Sequence, residues 1–144
     1  WLKIHKEALL NIGKGEQIID RIEELEAKNS IVGIQFDTLQ KEIFFLLSEE
    51  GNDSYLDSLD NMALLNTNNN AALNNSAFEV KRRKIIEMDK EGAYIPYCTR
   101  MVFLKYYTEN PTNMHFLGAD DRKAYKEAII KMLIPYLNIE NSQE

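Results

Sequence analysis

The chain of 144 residues has no methionine at its start, one cysteine, two histidines, and no long apolar run. A single thiol, Cys98, excludes an internal disulfide framework and any zinc site built from several thiolates. No apolar run approaches the ~20 residues that span a bilayer, and no signal-peptide pattern opens the chain, so a soluble, cytoplasmic protein is expected. Basic residues are the minority: 17 Lys and Arg stand against 23 Asp and Glu, with a net charge of −6. That balance excludes a histone-like or polybasic nucleic-acid binder at the level of the whole chain, and leaves a local basic patch open. What is present suffices for a core, with 44% hydrophobic and 28% charged residues in a length that fits one domain, or one domain with an ornament. The opening Trp1 suggests an internal piece of a longer protein.

Charge is unevenly divided. Residues 1–60 carry 6 basic and 13 acidic groups, and residues 61–75 carry none. The only positive stretch is 76–107, densest at Lys81-Arg82-Arg83-Lys84. Such a strip either holds a phosphate backbone locally or forms the solvated face of a helix.

Apolar spacing at three- and four-residue steps predicts a helix ending near Leu10, a second over Glu16–Lys28 through Ile18, Ile19, Ile22 and Leu25, and a third over Ile31–Glu50 through Ile34, Leu39, Ile43, Phe44 and Leu47. Tyr55–Leu65 is too short and interrupted for a helix and reads as a short strand or hairpin. Helix resumes at Phe78–Met88 with Phe78, Ile85 and Met88 buried, and Gly92 stops it. Tyr94-Ile95-Pro96 is extended because the residue before proline is pushed out of the helical region. Thr99 is placed to cap a further helix, and Ala119–Leu137 forms the last one, with Tyr125, Ile129, Met132 and Leu133 on its apolar face. Tyr94, Tyr97, Tyr106 and Tyr107 flank a hydrophobic run and fit core packing better than base stacking. The expected fold is mainly α with a small β hairpin.

Seven asparagines fall within residues 61–75: Asn61, Asn66, Asn68, Asn69, Asn70, Asn74 and Asn75. Asparagine forms turns readily, so a plain polar loop is one reading. The context offers another, because an apolar strand-like run precedes the cluster and a basic helix follows it. An amide oxygen is a hard, neutral ligand, and strand, Asn-rich loop and helix make a cradle for one hard cation beside a phosphate.

The stretch from Asp60 to Tyr107 resembles the C-terminal nuclease domain of GmrSD-type restriction endonucleases, bacterial proteins that join a ParB-like N-terminal domain to an HNH domain. Asn61-Met62-Ala63-Leu64-Leu65 is similar to the family's NLxLL strand. Asn70, Asn75, Phe78, Lys81 and Arg82 follow its N-x4-N-x2-F-x2-K-R pattern, and Ile95-Pro96, Thr99, Val102-Phe103 and Lys105 follow its tail. With the closing helix, the resemblance spans roughly residues 55–137. It implies a helical domain around a partial HNH, or ββα-metal, motif over 55–144, preceded by an acidic helical insertion over 1–54. It also implies hydrolysis of double-stranded DNA in restriction of foreign or modified DNA, with Mg2+ or Mn2+ as cofactor and the N-terminal nucleotide-binding domain of the same protein as partner. Under it Asn61 is the central asparagine and Asn70 a catalytic metal ligand. Asn75 and Phe78 brace the site, and Lys81, Arg82 and Lys84 contact DNA.

One element of the family pattern is missing: no acidic-His tripeptide precedes the expected strand. The two histidines lie elsewhere, His5 on a predicted helix and His115 in a late loop. The expectation is that this chain starts just downstream of the general-base histidine and is inactive alone. The alternative is a degenerate scaffold acting as a non-catalytic protein-interaction or DNA-binding module.

Overall fold

Leu2, His5, Ala8 and Leu9 recur at helical spacing and form the buried face of α1 (Leu2–Ile12) in a computed structural model that describes residues 1–28, 31–48, 58–66, 70, 73, 76–109, 111 and 113–137. Gly13 ends α1 in the left-handed conformation at φ 66°. Gly15, at φ 77°, starts α2 (Glu16–Ala27), and its carbonyl accepts the N–H groups of Ile18 and Ile19 at 2.9 Å. A β-carbon at Gly15 would stand 2.8 Å from a methyl of Leu46, so both backbone and space call for glycine. The third helix, α3, runs from Gly33 to Leu46 and buries Leu39 and Ile43.

These three helices close a first core of Leu2, Ala8, Leu9, Ile18, Ile22, Leu39, Ile43 and Leu47, which Ala77 joins. Trp1, Phe36 and Phe44 pack around it, the Trp1 ring meeting each phenyl edge-on at 5.6 Å. Ion pairs tie the outer surface, Lys6 to Glu26 and Arg21 to Glu42, each at 2.5 Å. Ile34, expected on the apolar side of α3, is exposed.

The second core belongs to α4 (Phe78–Lys90), α5 (Tyr97–Phe103) and the extended segments beside them. Leu73, Ile85, Met88, Ile95 and Phe103 are buried together, and Phe78 stacks on Phe103 with centroids 5.3 Å apart. α4 also packs against α1, so it is the element common to both cores. Thr99 lies inside α5 rather than capping it, and Pro96 takes the N-cap position. The last helix, α6, runs from Ala119 to Leu133 and tightens into a 3-10 turn at Ile134–Tyr136. Tyr125 is buried, whereas Met132 and Leu133, expected on the apolar face, are exposed. Among the described residues no helix is long and apolar enough to cross a membrane.

The expected β hairpin is not formed, and there is no strand among the described residues; the structure is helical. Residues 55–57 of that segment lie outside the described residues. From Ser58 the chain makes a 3-10 turn at Leu59–Asn61, packed against α6, and then runs extended from Met62 (φ −109°, ψ 145°) to Asn66. Exposure alternates there as in a strand, with Met62 and Leu64 outward and Ala63 and Leu65 against the second core. The period of two is real, but among the described residues no second strand supplies a ladder. Its fastening comes from a helix instead: the Thr99 hydroxyl donates to the Leu64 carbonyl at 2.5 Å. Without the two strands, the ββα frame of an HNH site is not built from the described residues.

Lys105 follows α5 at φ 58°, unusual for a residue with a β-carbon. Its side chain is buried, and its ammonium donates to the carbonyls of Asn113 and Phe116 and to Oδ2 of Asp121, the last at 2.6 Å. All three ammonium hydrogens are thereby used. Asp121 in turn accepts from the Thr108 hydroxyl at 2.6 Å and from the Gly118 N–H at 2.9 Å. Burial pushes the Asp121 carboxyl up, but the bonds from Lys105, Thr108 and Gly118 outweigh it and hold the group below its ordinary value.

Candidate functional site

Each residue of an α-helix is rotated about 100° from the one before. Four consecutive basic residues on α4 therefore cannot share one face. Lys81 is half-buried, and desolvation pushes its ammonium below the usual lysine range. The Nε of Arg82 is buried with no hydrogen-bond partner. Arg83 is exposed, and Lys84 pairs with Glu87 at 2.7 Å, a bond that raises the Lys84 pKa and lowers that of Glu87. The strip is thus distributed around the helix, and part of it is neutralised by acidic neighbours.

The asparagines are also dispersed. Asn61 is half-buried in the 3-10 turn beside α6. Asn70 has helical backbone and is exposed, its N–H bonded to the Asn66 carbonyl at 2.9 Å. Asn75 lies outside the described residues. Phe78, expected to be buried, is half-buried and stacks on Phe103. No group of three or more His, Cys, Asp or Glu side chains placed to hold a metal ion occurs among the described residues. Of the asparagines that the resemblance places at a magnesium or manganese centre, Asn61 and Asn70 lie apart in burial, one half-buried and one exposed, and Asn75 lies outside the described residues.

Neither histidine stands as a free base. His5 is fully buried in α1. Its Nδ1 meets the Trp1 carbonyl at 2.9 Å and its Nε2 accepts the Ala77 N–H at 3.2 Å, while the ring stacks on Trp1 at 3.6 Å between centroids. Those partners fix the neutral tautomer with its proton on Nδ1. Burial lowers the imidazole pKa, against a smaller opposing effect of the Trp1 carbonyl. His115 lies over the start of α4, its Nδ1 3.2 Å from Oε2 of the buried Glu79. This contact ties the loop before α6 to the first turn of α4, and nothing in the sequence spacing announced it.

The tyrosines depart from the core packing expected of them. Tyr94, Tyr97 and Tyr106 are exposed, and only Tyr107 turns inward, stacking on Tyr125 at 5.3 Å. Ile95, Thr99, Val102 and Phe103 between them are buried.

A groove of about 610 Å³ lies between α1 and α4. Ile4 on α1, Leu73, and Val80 and Ile86 on α4 supply its apolar surface. Its rim carries both signs: Glu7 on one side, and Arg83, Lys84, Glu87, Lys90 and Glu91 along α4. Sequence reading missed the groove because its walls come from segments more than 60 residues apart. Its one local sign was the charged stripe of α4, which reads equally well as a solvated face.

Compared with known proteins, the chain matches no family model, no curated protein and no solved structure.

Proposed function

We propose that this chain is a helical protein-interaction module that holds one amphipathic helix of a partner protein in the groove between α1 and α4. The observation that carries the reading is the groove itself, an apolar trough with a mixed-charge rim. From Val80 to Glu91 the α4 wall rises ~16 Å, the length of about three helical turns. A helix of that length presents anchors at i, i+3, i+4 and i+7 to an apolar trough. The rim residues Arg83, Lys84, Glu87, Lys90 and Glu91 follow the same three- and four-residue steps, so opposite charges on a docked helix can pair along them. A bare phosphate backbone fits this rim poorly, because acidic groups interrupt the basic ones. The nuclease expectation depended on a hairpin that the described residues do not form.

The test titrates the whole chain against a fluorescent 14-residue helical peptide with leucines at anchor spacing and alternating Lys and Glu flanks. Saturable binding, weakened at least tenfold by Ile4→Glu, is the expected result; Ile4 is exposed, so the variant keeps its fold. No binding, or binding indifferent to Ile4→Glu, overturns the reading. A plasmid assay with Mg2+ and Mn2+ accompanies it. Metal-dependent cleavage lost on Asn70→Ala would replace the proposal with the nuclease expectation.

A further inference from the structure

Ile4 on α1 and Ser76 just ahead of α4 both line the groove. Each is the chain neighbour of a residue in the bond between the two walls, in which His5 Nε2 accepts the Ala77 N–H at 3.2 Å. That bond sets the spacing of the walls at the end where α4 begins. The imidazole that makes it has little freedom: it is fully buried, stacked on Trp1, with the Phe44 ring of α3 edge-on at 6.1 Å. Its Nδ1 is engaged by the Trp1 carbonyl at 2.9 Å, so one ring nitrogen donates and the other accepts, which only a neutral ring can do. A second proton on Nε2 would set one N–H donor against another in an apolar site. The side chains of Trp1, Phe44 and Ala77 that face the ring offer it no carboxylate. Among the described residues, the charge that acts on it is the amino terminus of Trp1, which opposes a second one.

We propose that His5 is a pH-sensitive latch on the groove: protonation of its ring releases Ala77, α1 draws away from the start of α4, and the partner helix is let go. The latch rests on the partner-helix reading, since a bound helix is what it frees. With the walls closed, burial holds the imidazole below its ordinary value of 6.5. An open form, with the ring in water, takes up a proton that the closed form refuses. One proton bound by the open form alone shifts the balance by at most about tenfold for each pH unit below 6.5. The device is therefore graded, and it works in mild acid. Other titratable groups lie near the walls: Glu7, Glu87 and Glu91 on the rim beside Lys84 and Lys90, and the His115–Glu79 contact at the first turn of α4. A substitution confined to His5 keeps all of them, so their titration is common to both chains.

Titration of the whole chain with the same fluorescent helical peptide, at pH 7.5 and at pH 5.5, tests it beside His5→Gln. The glutamine amide oxygen can accept the Ala77 N–H and does not titrate. The expected affinity of the native chain is roughly three- to tenfold weaker at pH 5.5, with helical circular dichroism unchanged. That of His5→Gln is the same at both values. Trp1 is the chain's single tryptophan and lies on the ring, so its emission changes over the same interval in the native chain and not in the variant. If His5→Gln loses its helical signal at pH 7.5, His5→Phe replaces it with the same expectation. Equal affinity at both pH values overturns the latch and leaves the groove reading standing. So does a loss that the His5 variant shares, or one that tracks loss of the helical signal. No binding at pH 7.5 overturns the partner-helix reading, and the latch with it.

Discussion

The Nε2 of His5 accepts the backbone N–H of Ala77 at 3.2 Å across 72 residues of sequence. Ala77 is the N-cap of α4, so its N–H stands just ahead of the helix and can find a partner only from outside it. The bond joins the first helix to the helix shared by both cores, and it requires the ring to be neutral.

Stability should therefore fall as the solution is acidified. The His5 pKa is lowered in the folded chain from an ordinary value of 6.5, so below 6.5 the unfolded chain binds a proton that the folded chain refuses. Urea denaturation at pH 7.5 and at pH 5.5 should show lower stability at the acid value, with most of the difference removed by His5→Phe. That variant is itself expected to cost about 1–3 kcal/mol at pH 7.5, because the Ala77 N–H is left buried and unpaired.

The Lys105–Asp121 pair gives a second expectation. Its side chains are 1% and 10% exposed, so removing one partner leaves a charge without water or counter-ion. Lys105→Met should cost about 3–5 kcal/mol, and the double variant Lys105→Met, Asp121→Asn distinctly less than the two single losses together. Chemical denaturation of the four chains closes the cycle. The acid limb is also defined: the Asp121 pKa lies below 3.8 in the folded chain, so its stabilising share is present above 3.8 and lost as pH falls through the lowered value.

Two glycines two positions apart in the α1–α2 junction offer a direct comparison. Gly13 and Gly15 both have positive φ, but an added β-carbon meets nothing within 4 Å at Gly13 and the Leu46 methyl at 2.8 Å at Gly15. Gly13→Ala should cost about 1–2 kcal/mol, the backbone penalty alone. Gly15→Ala should cost more, since Leu46 must also move. Thermal melts of the two variants measure the difference.

Helices were legible in the sequence because their burial repeats locally. Ile18 and Ile22, Leu39 and Ile43, and Ile85 and Met88 were each picked out by spacing and are buried. The segment Met62–Asn66 misled because alternation of exposure is a property of extended backbone, whereas a hairpin also needs a partner strand that no single run of residues declares. The tail residues Ile95, Thr99, Val102, Phe103 and Lys105, which carried the family resemblance, are all buried. What that pattern marks in this chain is packing: Ile95 and Phe103 in the second core, the Thr99 hydroxyl on Leu64, and the Lys105 ammonium on Asp121. The groove and the His5–Ala77 bond were illegible for a simpler reason, since each joins residues whose separation along the chain sets no period.

One helix, finally, carries two kinds of constraint in succession. In α6, residues 119–125 lie where Asp121 and Tyr125 are held, and residues 130–137 overhang. Substitutions in the first half will register in melting temperature whatever the protein concentration. In the second half, where Ile130, Leu133, Ile134 and Leu137 are about half exposed, they will leave it nearly unmoved. A survey of variants along this single helix would thus lose its effect on melting near Ile129, within one turn.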